Sequence, residues 1–315
     1  MEILEFTSRW IPDAMELAEK NYQEEKAAVP ALPEMPHFPS LEALAENGLG
    51  VIATQEGRLL GYLGAYGPWE PVFCTPNVRG VFSPIHAHGA VLQQRDRIYQ
   101  RLYQAAAEKW VRAGAVSHAV TFYAHDRMAQ EAMFYYGFGM RCMDLIRNIA
   151  ASGMVPTSNS EFCELPVERH GELLPLRTGL SDHLAQSPCF MTSAPGFLER
   201  WLEKREKQPP RVFAALVDGE IVAYLEVQKE GENFISSGKA TANICGAFCK
   251  PELRGQNRMA GLLRYAMAIL EQEGYSRLGV DCESFNPTAL RFWSKHFSAY
   301  THSLVRRIDE NSVIY

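Results

Sequence analysis

The chain has 315 residues, enough for two cores of ordinary domain size, and is 47% hydrophobic and 22% charged. No apolar run approaches the roughly 18 residues a membrane span needs, and a net charge of -6 without a long Lys/Arg block argues against a nucleic-acid surface. The cysteines are scattered and odd in number, without zinc spacing to histidine, and "MEILEFTSRW" has no basic and apolar leader pattern; a cytoplasmic protein with reduced thiols, acting on a small molecule, is expected.

In chain order, the first half presents "GRLLGYLGAY" from Gly57, whose Gly turn, apolar pair and Tyr-Leu return as "GEIVAYLEVQ" from Gly219. "GAVSHAVTFYAHDRMAQEA" from Gly114 falls on "GYSRLGVDCESFNPTALRF" from Gly274, placing Val120 on Val280, Asp126 on Asn286 and Ala129 on Ala289. The same register brings Arg147 onto Arg307. A nearly constant register through segments of one predicted type points to an internal duplication: a tandem of two copies of one fold. The small, polar, Pro/Gly-containing stretch "ASGMVPTSNS" reads as the linker, giving domains at 1–150 and 161–315 joined by 151–160. His86 and His88 in "PIHAHGA" have no third metal ligand nearby in sequence and read as a loop pair bonded to backbone; no metal is expected.

The second half reads as a short strand "FCEL", helices over "HGELLPLRTGLSDHLAQ" and "PGFLERWLEKREK", and a hairpin "RVFAALVDGEIVAYLEVQ" turned by Asp218-Gly219. Strand "TANICGAFC" follows, then a helix over 257–274 with Met259, Leu262, Leu263, Ala266, Ile269 and Leu270 on one face and Gly274 closing it. Strand "SRLGVDCE", helix "NPTALRFWSKHF" capped by Asn286 with Pro287 at its first position, and strand "YTHSLVRRI" complete the order. The fold class is mixed α/β, each half a mostly antiparallel twisted sheet flanked by helices.

Strand "ICGAFC", loop "KPELRGQNRM", the helix after it, strand "RLGVDCE" and "NPTALRFW" together resemble the GNAT superfamily of N-acetyltransferases, whose pyrophosphate-binding signature is Q/R-x-x-G-x-G/A between a strand and a long helix. The resemblance covers most of the second half and, through the repeat, extends more weakly over the first. Arg254 matches the first signature position, while Asn257 and Met259 replace the two small residues. Asn tolerates left-handed backbone and caps helices, and an unbranched Met can bend aside, so the backbone N–H groups and the helix dipole remain available to a phosphate. The resemblance implies acetyl-CoA as acyl donor, held by Arg254, Gly255, Gln256, Asn257, Arg258 and Met259 at the pyrophosphate, by the main chain of Ala247, Phe248 and Cys249 along the pantetheine arm, and by Asn286. It also implies a backbone N–H near Phe248 or Cys249 as stabiliser of the thioester oxygen. Trp293 stands where many members carry a proton-donating tyrosine, a role indole cannot fill; packing beside Phe292 is its expected part.

An amine near pKa 10.4 must lose a proton before it attacks, and a carboxylate serves as base directly or through water. Asp281 and Glu283 share one face of their strand, and Glu226 sits among apolar neighbours that raise a carboxylate pKa; Glu283 and Glu226 are the candidate bases. The expected activity is transfer of acetyl from acetyl-CoA to a primary amine of a small molecule, by a monomer or homodimer. The acidic and aromatic residues of "LRTGLSDHLAQSPCFM", on the acceptor side by resemblance, suit a small cation. The alternative is a regulatory protein that binds CoA or acyl-CoA without turnover. In the first half Pro84 answers Pro251, but the Arg-Gly turn is missing and the connection to the helix is longer, so no phosphate cradle is expected there.

Overall fold

The computed structural model describes residues 1–149 and 161–313; the expected linker 151–160 lies outside the described residues. The chain divides into two compact units, Met1–Asp144 with Ala299–Tyr315, and Leu145–Ser298.

Unit 1 contains β1 (Glu2–Glu5), α1 (Ile11–Ala28), α2 (Glu42–Glu46), β2 (Val51–Gln55), β3 (Arg58–Leu63), β4 (Tyr66–Trp69), β5 (Gly80–Ser83), β6 (His88–Ala90), α3 (Arg95–Arg112), β7 (Ser117–Tyr123), α4 (Arg127–Phe134) and the start of β8 (Gly139–Asn148). Strands β1-β2-β3-β6 form one antiparallel group. α3 lays Ile98, Tyr99, Leu102, Tyr103, Ala106 and Trp110 into a core shared with Val51, Leu63 and Phe122, the spacing of three and four residues that puts apolar side chains on one helical face.

Unit 2 continues with the end of β8 and then β9 (Glu161–Leu165), α5 (Leu174–Ala185), α6 (Phe197–Lys207), β10 (Arg211–Val217), β11 (Glu220–Gln228), β12 (Thr241–Cys249), α7 (Arg258–Gln272), β13 (Arg277–Glu283) and α8 (Pro287–His296). Its strand order is β8-β13-β12-β11-β10-β9. The β10–β11 turn has φ 51° at Asp218 and 83° at Gly219, the paired positive angles a two-residue hairpin turn needs to match strand twist. Leu262, Leu263, Ala266 and Leu270 of α7 are buried, and Gly274 ends the segment at φ 89°. Asn286 caps α8, its Oδ1 accepting the Ala289 N–H at 3.3 Å; Asp126 caps α4 in the same way through Ala129 N–H at 3.1 Å, at the positions the repeat superimposes.

The last strand, β14 (Ser298–Arg307), was expected in the second domain. Its residues from Ala299 onward instead belong to unit 1, paired antiparallel with β7 from Thr301↔Tyr123 to Arg307↔Ser117, with Leu304 in that unit's core. Backbone pairing is blind to sequence distance, so a strand read correctly from its own residues can complete a sheet elsewhere in the chain. The sheets are mostly antiparallel, with β5–β7 and β12–β13 parallel.

Candidate active site

The site in unit 2 begins with one strand that has two unequal edges. β12 pairs antiparallel with β11 from Gln228↔Asn243 to Ala223↔Cys249, with a bulge where the register shifts between Glu226 and Val227. Its other edge pairs parallel with β13 only from Thr241↔Arg277 to Ile244↔Val280. Beyond that point residues 245–249 and 281–283 part, and the outer edge of β12 offers its backbone N–H and C=O groups to an extended ligand.

The chain then turns into α7 through Gly255 at φ 78° and Asn257 at φ 58°, ψ 12°. Asn257 thus takes the left-handed geometry it tolerates better than other side-chain-bearing residues. The first helical bond of α7 runs from Gly261 N to Asn257 O at 2.8 Å, so the N–H groups of Met259 and Ala260 are left over by the helix, with the positive end of its dipole. Met259 and Ala260 line a cleft of about 450 Å³.

Ala247, Phe248 and Cys249 form one side of this cleft; Arg254, Gly255, Asn257 and Arg258 its end; and Asn286 with Phe292 and Trp293 of α8 the facing wall. Arg254 donates from Nε to Cys249 O at 3.1 Å and lies 5.4 Å over the Phe248 ring, so its charge is fixed against the mouth. Gln256 does not line the cleft; its Oε1 accepts from Arg258 Nε and Nη2 at 3.2 and 3.0 Å, steadying that guanidinium. Trp293 is buried and packs edge-on to Phe292 at 4.8 Å while forming part of the wall. Arg291 and Lys295 were missed by sequence reasoning; they lie four residues apart on α8, a spacing that places both on one helical face. The lining thus carries Arg254, Arg258, Arg291 and Lys295 and no carboxylate. An open strand edge, a helix N-terminus and four cations fit the extended, polyphosphorylated acyl-CoA.

The two candidate bases lie outside this lining. Glu226 is 5% exposed and paired with Arg205, Nη1 to Oε1 at 2.7 Å; the other Arg205 amino group meets His170 Nδ1 at 3.1 Å. Burial raises its pKa against the opposing pull of Arg205. A Cβ at position 246 would come 2.8 Å from Glu226 Oε2, so the carboxylate lies against Gly246 at the start of the splayed segment and a larger residue there would have to displace it. Glu283 ends β13, its carbonyl accepting the Asn286 N–H at 3.1 Å; burial first, and the Glu283 charge second, push up the nearby Cys189 thiol. Burial also raises the Cys249 thiol, which disfavours its thiolate.

α5 closes the cleft from above with Leu180 and His183. A side chain at Gly179 would meet the Phe248 ring at 3.0 Å, so glycine lets the helix settle on β12. His183 hydrogen bonds across the cleft to the start of α8: its Nε2 lies 3.3 Å from Asn286 Oδ1 and 3.1 Å from Thr288 Oγ1. Sequence reasoning named the segment but not this residue. Among the described residues no group of three or more His, Cys, Asp or Glu side chains could hold a metal, and no helix is long and apolar enough to cross a membrane.

Residues 181–298 match the acetyltransferase (GNAT) family model. No curated protein matches the sequence. In fold the chain is similar to a GCN5-related N-acetyltransferase from Sphaerobacter thermophilus, with TM-score 0.58 and 13% identity over 97% of this chain and 95% of that one. It is also similar to the GCN5-related glucosamine N-acetyltransferase region of a fungal multi-domain GH3 β-N-acetylglucosaminidase, with TM-score 0.51 and 13% identity over 96% of this chain and 38% of that one. The two units follow a tandem GNAT-like fold, and the match to the GNAT family model is confined to residues 181–298, within the second unit.

Proposed function

We propose that unit 2 is an acetyl-CoA-dependent N-acetyltransferase acting on a primary amine of a small molecule in the cytoplasm. The observation that carries this reading is the cleft itself: among the described residues its lining has four cations and no carboxylate, and it is set between the edge of β12 beyond its pairing with β13 and the N-terminal turn of α7. Arg254, Arg258, Arg291 and Lys295 would meet the phosphates, with Gly255, Gln256, Asn257 and Met259 shaping the turn. Ala247, Phe248 and Cys249 would lie along the pantetheine arm, with Asn286 opposite. The cofactor supplies an activated acetyl thioester. Glu283, the less buried carboxylate, and Glu226, held by Arg205, are the candidates for removing the amine proton.

The second reading, acyl-CoA binding without turnover, draws on one observation: neither carboxylate lines the cleft. Calorimetric titration of acetyl-CoA into the wild type and Arg254→Glu is the first test, with one site per chain and at least a tenfold loss in the variant expected. Equal binding by both proteins would remove the cleft from consideration. CoA release with a panel of primary amines, in the wild type, Glu283→Gln and Glu226→Gln, then separates an enzyme from a binder.

A further inference from the structure

Unit 2 has a second cleft, about 390 Å³, lined in part by Leu176, Gly179, Asp182 and Glu252. It shares two side chains with the cationic cleft, Phe248 and His183, and His183 is the only titratable one of the two. At this junction an acyl group carried in the first cleft would meet a molecule entering by the second.

The hydrogen bonds of His183 define what its ring can do. Asn286 Oδ1 is an oxygen because it accepts the Ala289 N–H and also the Thr288 hydroxyl, the latter at 2.8 Å. With its proton given to Asn286, the Thr288 oxygen has lone pairs left for His183. Both atoms facing Nε2 are therefore acceptors, and Nε2 carries the ring proton and donates it. Nδ1 keeps the lone pair and has no hydrogen-bond partner among the described residues. An imidazole with one nitrogen anchored as a donor and the other open is oriented to take up a proton and give it back.

We propose that the second cleft receives the acceptor amine and that His183 is the catalytic residue that moves the reacting proton. The amine nitrogen bonds to the thioester carbonyl carbon and the carbon–sulfur bond breaks. An amine that arrives as a cation first loses one proton to Glu283 or Glu226 and on to water; the second proton, shed by nitrogen as it bonds to carbon, passes to His183 Nδ1 and from there to the CoA sulfur, returning the ring to its starting state. Asn286 and Thr288 hold the ring through Nε2 in both protonation states. Trp293 lines the cleft without a transferable proton, and His183, which lines the same cleft, supplies one. Asp182 and Glu252 outnumber Lys250 in the lining of the second cleft, and Lys250 is already paired with Glu220 at 3.3 Å, a balance that favours an amine that arrives as a cation.

The proposal rests on the acetyltransferase reading, and two measurements keep their failures apart. Nitrogen NMR of the histidine rings, with no donor present, should show neutral His183 as the Nε2–H tautomer, with the preference lost in Asn286→Ala; an Nδ1–H ring would overturn the assignment. CoA release from acetyl-CoA is then followed with 1,4-diaminobutane and with water alone as acceptor, beside calorimetric binding of acetyl-CoA, for wild type, His183→Gln and His183→Asn. We expect release to fall by about 10²–10⁴-fold in both variants with acetyl-CoA affinity within about twofold. Unchanged release overturns the role of His183 and leaves the transferase standing. Lost acetyl-CoA binding in both variants reduces His183 to part of the wall and overturns the proposal. A wild type that binds acetyl-CoA and releases no CoA above the buffer rate overturns both.

Discussion

The two units start from the same local devices and end in opposite states. α3 in unit 1 and α7 in unit 2 both begin from a left-handed residue, Gln94 at φ 54° and Asn257 at φ 58°. Both have a parallel strand pair just before the region of interest, Gly80↔Ser117 to Ser83↔Val120 in the first and Thr241↔Arg277 to Ile244↔Val280 in the second. In unit 2 the strand runs on unbroken as β12 and leaves an edge open. In unit 1 it is interrupted, and β6 pairs with β3 instead. The place beyond the last parallel pair is then filled by the chain's own side chains. His88 bonds through Nε2 to Thr121 O at 2.6 Å and through Nδ1 to the Tyr99 hydroxyl of α3 at 2.8 Å. Arg95, in the first turn of α3, is buried against Glu24 at 2.7 Å and Asp126 at 3.1 Å. Asp126 is the position matched by Asn286, which faces the cleft in unit 2. A GNAT-like frame therefore presents a cleft only where its own side chains leave the splay between strands open.

The sharpest way to break this contrast is to remove the plug. Arg95→Ala leaves Asp126 buried without its guanidinium, and truncating one partner of a buried pair costs roughly 3–5 kcal/mol. A fall of about 10 °C in the melting temperature is expected, with acetyl-CoA binding in unit 2 retained. An unchanged melting temperature would show that Arg95 does not hold unit 1 together.

Acid should separate the two units next. Burial lowers the His88 pKa to about 4 in the folded state, and the ordinary value of about 6.5 applies once the chain unfolds. Between these values the unfolded chain binds more protons, so the contribution of His88 is full above pH 6.5 and is lost as pH falls from 6.5 to 4, by about 3 kcal/mol. His86 and His118, both lowered by burial to about 4, act in the same direction. Calorimetric scans from pH 7.5 to 4.5 should show unit 1 destabilised, with a shallower slope in His88→Gln; equal slopes would exclude His88 as the sensor.

The smallest effect concerns the turn into α7. Asn257→Gly should change stability by only a few tenths of a kcal/mol and preserve acetyl-CoA affinity, whereas Asn257→Val should cost about 1–2 kcal/mol and weaken binding. Equal affinity in the two variants would mean that the left-handed geometry at 257 does not shape the site.

Much of this was legible in the sequence because it is local. The Asp218-Gly219 turn, the apolar face of α7 and the Asn286 cap each depend on residues a few positions apart. The sequence placed Arg254, Asn257 and Met259 at the helix entrance, and the structure brings them together with Ala247, Phe248, Cys249 and Asn286 around one cleft. Glu226 was read as a carboxylate among apolar neighbours; that its partner is Arg205 of α6, far along the chain, followed only from packing. His183 gave no signal of its own, since one histidine in a helix is ordinary, and its meaning comes from contact with Asn286 and Thr288 more than a hundred residues away.

The residue pattern alone determined the types and order of the elements in the second half and the tandem arrangement, and carried the resemblance of the second half to the GNAT family, because periodicity, turn chemistry, caps and a loop motif act over a single turn or strand. Tertiary structure decided which unit receives β14, that unit 1 fills its own splay with His88 and Arg95, and that a cationic cleft and a second cleft meet at His183. Strand pairing and side-chain burial join residues without regard to their distance along the chain, and no local pattern records which partner is chosen.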